Sequence, residues 1–137
     1  MIPLFEQYCK QSSIDGKTIR ARIGNSSLDL KVASLPKSIE LGYSAHSEPK
    51  DGEGMLFVFG VDSPLSFWMK GVDFPLDLMF FDSNMKLVNF HSMGSCGNKK
   101  DQDLERYQSS RPAAYAVEVP SGWCSKNLDK SNCKLSF

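Results

Sequence analysis

From residue 18 to residue 32 apolar and polar side chains alternate with a period of two. Ile19, Ala21 and Ile23 oppose Thr18, Arg20 and Arg22; after a Gly-Asn-Ser-Ser break, Leu28, Leu30 and Val32 oppose Asp29 and Lys31. This predicts a half-exposed antiparallel hairpin. Pro36, then Lys-Ser-Ile-Glu-Leu and Gly42, predicts a short helix with a glycine stop. Residues 46–54 are polar and rich in breakers, hence a surface loop.

Residues 54–88 are the most apolar part of the chain, so the charges among them are informative. Met55, Phe57 and Phe59 on one side and Leu56 and Val58 on the other predict a strand covered on both faces. Leu65, Phe67 and Met69 point one way and Ser66, Trp68 and Lys70 the other, giving one core face and one free to hold a ligand. A third strand is expected over residues 76–81, with Pro75 at or before its start and Asp77 on the face of Met79 and Phe81. Asp82-Ser83-Asn84 predicts a tight hairpin loop, in which Asn84 can tolerate positive φ, and residues 86–92 return as the partner strand.

Residues 94–111 form a long polar loop with a short helical turn expected near residues 103–108. In the strand expected over residues 114–119, Tyr115, Val117 and Val119 share one face and Ala114, Ala116 and Glu118 the other. A turn at Ser121-Gly122-Trp123 and a closing strand over residues 133–137 complete the pattern. The fold class is therefore all-β with minor helix: a compact antiparallel β-sandwich or barrel of about seven or more short strands. Residues 1–17 are expected to be an N-terminal arm, with Leu4, Phe5 and Tyr8 on one helical face, and residues 18–137 a single β domain.

Five blocks in this order and spacing resemble the family called domain of unknown function 192. They are Gly-Met-Leu-Phe-Val-Phe at 54–59, Phe-Trp-Met-Lys at 67–70, Pro-Leu-Asp-Leu-Met-Phe-Phe-Asp at 75–82, Tyr107 with Ser109, and Ala-Tyr-Ala-Val-Glu-Val-Pro-Ser-Gly-Trp at 114–123. The resemblance runs from about residue 18 to 135 and implies a compact β-sandwich or barrel without an established activity. Where the family has an arginine and Gly-Leu-Met in the first helix, this chain has Ile39 and Gly42 followed by Tyr43. Gly71-Val72 replaces the family's Asn-Thr, and its glycine and aspartate before the last strand are absent. Roles of those family side chains do not transfer.

With 137 residues the chain can bury a core without staples. Sixteen Lys and Arg against sixteen Asp and Glu give no net pull on phosphate or anionic lipid, so neither nucleic acid nor membrane is an expected partner. The first ten residues lack a secretory pattern, and the expected localisation is cytoplasmic. Cys124 and Cys133 are spaced to close a short disulfide loop, but without a secretory signal the reduced state is expected. Cys96 reads as an exposed loop thiol, and no Cys or His spacing fits a metal, so no metal or other cofactor is expected.

The candidate ligand-binding residues are Trp68, Lys70, Asp77, Glu118 and Trp123; no catalytic set can be assigned. Lys70 and Asp77 flank one short connection, so they either bind a polar ligand beside Trp68 or form a structural ion pair. Glu118, on the small-residue face of its strand, either orients a ligand hydroxyl or amine at the end of a groove or is satisfied by backbone N–H groups or Lys70. Trp68 and Trp123 either make an aromatic platform or fill core. The leading functional expectation is a module binding a small polar ligand, glycan or peptide. A protein-partner accessory role and a hydrolase with a carboxylate general base are the alternatives.

Overall fold

A computed structural model of the chain describes residues 11–129 and 131–137. The expected helical face of Leu4, Phe5 and Tyr8 lies outside them. The hairpin forms as the alternation predicts, with β1 (Thr18–Ile23) antiparallel to β2 (Ser26–Ala33). The short helix α1 (Pro36–Leu41) follows, then a 3-10 turn (Gly42–Ala45). Proline opens α1, and Gly42, at φ 48, stops it. The helix entry is held from a distance: Asp15 accepts the N–H groups of Ser34 (2.8 Å) and Leu35 (3.2 Å) and the Ser38 hydroxyl (2.8 Å).

The chain returns in β3 (Glu53–Ser63), which pairs with β2 in parallel, a departure from the all-antiparallel expectation. Parallel neighbours need a long crossover. Residues 34–52, with α1 and the 3-10 turn, supply it and are laid across one sheet face. The remaining elements are β4 (Ser66–Phe67), β5 (Leu76–Phe81), β6 (Leu87–Met93), a second 3-10 turn (Asp101–Asp103), β7 (Tyr107–Gln108), β8 (Ala113–Pro120), α2 (Trp123–Asn127) and β9 (Leu135–Ser136). Seven strands form one curled, mixed sheet in the order β6-β5-β8-β3-β2-β1-β9, and β4 pairs with β7 in a small second sheet. Of the sandwich and barrel alternatives the result is a half-barrel. Its ends are drawn together by the C-terminal segment: Ile23 pairs with Leu135, Leu135 N–H bonds to Met85 O (2.9 Å), and Leu87 N–H bonds to Cys133 O (3.2 Å).

The apolar stretch is divided between two cores. On one face of the sheet Leu28, Leu30, Leu56, Met79, Phe81, Val117 and Val119 pack with Trp123 and Leu135. On the other, Met55, Phe57, Leu76, Leu78, Phe80 and Ala116 pack with Tyr43, Leu65 and Met69. Every residue of β5 is buried because this strand lies between β6 and β8 with a core on each side. In the hairpin after it, Met85 rather than Asn84 takes the positive φ (67°). Asp82 holds the turn by accepting the N–H groups of Asn84 (2.9 Å) and Lys86 (3.0 Å) and an ion pair from Arg111 (3.0 Å). The helical turn expected near residues 103–108 is instead the 3-10 turn at Asp101–Asp103, followed by β7.

Candidate functional site

Glu118 lies two residues before the end of β8, beside Leu78 of β5 and Met55 of β3. Residues paired across strands point to the same face, so its side chain enters the second core with Phe57, Leu78 and Ala116. The core is incomplete there because the crossover does not close on it. A pocket of about 350 Å³ opens between Gly42 and Tyr43 on one wall and residues 64–68 on the other, with Phe57 and Glu118 lining it. Gly42 lines the pocket, whereas Gly54 lets β3 approach β8 on the other face. A Cβ at Gly42 would stand 3.3 Å from the Phe57 ring and 3.8 Å from Glu118 Oε1, and one at Gly54 would stand 2.5 Å from the Glu118 carbonyl oxygen.

Glu118 is only 4% exposed, and no hydrogen bond from the described residues reaches its carboxyl group. Burial without a compensating donor pushes its pKa up to about 8, so at neutral pH it is mainly a neutral acid. The Tyr43 phenol, lining the same pocket, is pushed up first by burial and then by the charges of Glu118 and Glu53. Five aromatic side chains, Tyr43, Phe57, Phe59, Phe67 and Trp68, line the space; Phe57 and Phe67 meet edge to face at 4.9 Å.

Trp68 and Lys70 both line this pocket, and so do Leu65 and Phe67 from the face expected to be core, because β4 ends at Phe67. Trp68 and Lys70 are fastened from outside by the long loop: the Arg106 guanidinium lies 3.8 Å from the Trp68 ring centroid, and Lys70 Nζ pairs with Asp101 at 2.8 Å. The loop thus braces two of the lining side chains without lining the pocket itself. Lys70 does not pair with Asp77, and Glu118 has neither Lys70 nor backbone donors as partners.

Asp77 lies one residue out of step with Glu118, opposite Val119, and faces the other core. There Asp77 Oδ2 accepts the Cys124 N–H at 2.9 Å, tying β5 to the first turn of α2. Its Oδ1 meets no donor among the described residues. The Cys124 thiol beside it is pushed well above its ordinary range, by burial first and then by the Asp77 charge. Trp123 is 5% exposed in that same core, so the two tryptophans make no common platform. Cys96, expected in an exposed loop, is buried with its thiol 3.4 Å from Asp73 Oδ1. Cys96, Cys124 and Cys133 are free thiols, so no Cys124–Cys133 bridge exists.

The pocket therefore unites three of the five candidates, Trp68, Lys70 and Glu118, and leaves Asp77 and Trp123 behind the sheet. Tyr43, Phe57, Phe67 and Gly42 belong to it but were not among them. The available signal was the helix between two strands, which reads as a crossover and would have brought Gly42 and Tyr43 over β3 and β8.

The domain of unknown function 192 family, described as uncharacterized ACR, matches residues 18–137, and the chain belongs to that family. Among solved structures it is similar to a putative transcription regulator from Sinorhizobium meliloti 1021, with a TM-score of 0.78 and 23% identity over 90% of this chain and 95% of the other. It is also similar to a protein of unknown function from Novosphingobium aromaticivorans DSM 12444, with a TM-score of 0.72 and 18% identity over 88% of this chain and 85% of that one. At such identities the likeness establishes the fold. No curated protein matches the chain. Among the described residues, no helix is long and apolar enough to cross a membrane.

Proposed function

We propose that this chain is a small binding module whose site is the pocket around Glu118, and that it takes a small polar ligand or the end of a glycan or peptide. The observation that carries this reading is the unpartnered carboxyl group lining a pocket open to solvent. No donor among the described residues is spent on it, so its oxygens face the pocket and not a structural partner. The aromatic rings add apolar area and orienting faces around one polar anchor, the usual composition of a ligand pocket.

A hydrolase using Asp77 and Glu118 together has no support, because the two carboxyl groups lie behind different faces of the sheet. Regulation of transcription, the description attached to the Sinorhizobium relative, would need a DNA-reading surface; the equal counts of acidic and basic residues supply no overall attraction to phosphate. A thermal-shift screen of metabolites, oligosaccharides and short peptides tests the binding reading. Compounds that stabilise the wild type but not W68A or E118Q support it. Stabilisation that is indifferent to both substitutions contradicts it.

A further inference from the structure

The pocket offers one feature that narrows the class of its ligand: its carboxyl group has no counter-ion. Around Glu118, β3 contributes Met55 and Phe57 and β5 contributes Leu78, none of them ionisable. The 3-10 turn contributes the Tyr43 phenol, and α1 contributes Glu40, both acids. The one lining cation is Lys70, and its ammonium is engaged with Asp101 and stands 5.3 Å from the Trp68 ring. Arg106, the next cation, is stacked on that same ring. The protein therefore surrounds an acid with acids and π-faces while its nearby cations are held elsewhere.

We infer that the ligand presents a cationic amine to Glu118, with its apolar body against the rings of Tyr43, Phe57 and Phe67. This rests on the binding reading above and specifies its chemistry. An ammonium supplies what the pocket lacks: a hydrogen-bond donor and a positive charge at once. A hydrogen bond between ionised partners is about twice as strong as one between neutral groups. Aromatic faces attract a desolvated cation further. An alcohol gives Glu118 a donor but no charge. A carboxylate brings no positive charge and meets Glu40 as a like charge, and Glu118 as well once that acid ionises. The pocket volume of about 350 Å³ suits a small amine; it lies near the lower end of the roughly 300–1,000 Å³ usual for ligand sites.

Because the free site holds Glu118 mainly protonated at neutral pH, amine binding ionises it and releases a proton to solvent. Affinity for the amine therefore rises as pH approaches about 8, while affinity for an alcohol does not.

The test uses three probes of one shape, 2-phenylethylamine, 2-phenylethanol and 3-phenylpropanoate, titrated into the whole chain and followed by the indole N–H resonance of Trp68, assigned with W68F. The amine should bind at least about tenfold more tightly than the alcohol, and E118Q should remove that preference, bringing the amine down to the alcohol's affinity. Equal affinities for amine and alcohol, with Trp68 responding, would overturn the amine assignment and leave the pocket as a binding site. Preference for the carboxylate would overturn it in the same way. If none of the three probes moves the Trp68 resonance, the amine assignment fails, while the binding reading falls only if the thermal-shift screen also finds no compound whose stabilisation depends on Trp68 and Glu118.

Discussion

Asp77 and Glu118 sit on hydrogen-bonded neighbouring strands, yet Glu118 pairs with Leu78 and Asp77 with Val119, so the two acids leave the sheet on opposite faces. One is a fastening, with Oδ2 on the first turn of α2. The other lines an open pocket with no partner among the described residues. Two buried carboxyl groups of similar appearance in the sequence thus make opposite predictions.

Replacing Glu118 by glutamine should stabilise the fold in a pH-dependent way. Burial raises the Glu118 pKa from 4.5 to about 8, so across that interval the folded chain holds a proton that the unfolded chain has released. Wild-type stability therefore falls as pH rises from the ordinary carboxylate range and levels off once the folded pKa is passed. Urea denaturation should show E118Q matching the wild type near about pH 4, then pulling ahead by a few kcal/mol by about pH 8. Parallel pH profiles would contradict the burial argument.

Asp77→Ala should do the reverse. It removes the acceptor of the Cys124 N–H and leaves a void in a closed core. A loss on the order of 2–3 kcal/mol is expected, with ligand binding in the Glu118 pocket unchanged in the folded fraction. Denaturation and a binding titration on the same sample read both quantities. Loss of binding without loss of stability would give Asp77 a functional role it lacks here.

Lys70→Ala should scarcely change stability. Its pair with Asp101 is half exposed at both ends, 54% and 58%, and such pairs contribute about 0–1 kcal/mol. Removing a positive charge from the pocket mouth should strengthen binding of a cationic amine modestly. Weaker amine binding by K70A would count against a cationic ligand.

Much of this arrangement could be read from residue order, because a β-strand shows its two faces with period two. The placing of Glu118 with Ala114 and Ala116 on one face of β8 is a local fact that tertiary structure preserves. The expected separation of Leu65 and Phe67 from Ser66, Trp68 and Lys70 is lost, because β4 ends at Phe67 and both sets line one pocket. Partner choice across the fold is not local. Nothing around Lys70 distinguishes Asp77, seven positions along the chain, from Asp101 in a loop that folds back over Trp68. Nor does β3 reveal that it joins β2 in parallel, which carries the crossover, and with it Gly42 and Tyr43, over the face that Glu118 occupies. The fold class follows from periodicity, whereas the pocket depends on contacts between segments far apart.

The most direct measurement is a carbon-detected NMR titration of the Glu118 side-chain carboxyl group, without and with 2-phenylethylamine. The unliganded protein should titrate near about 8, and saturating amine should lower that value by more than about one unit, because the ammonium stabilises the ionised form. A Glu118 that titrates in the ordinary carboxylate range and does not move with the amine would contradict the account.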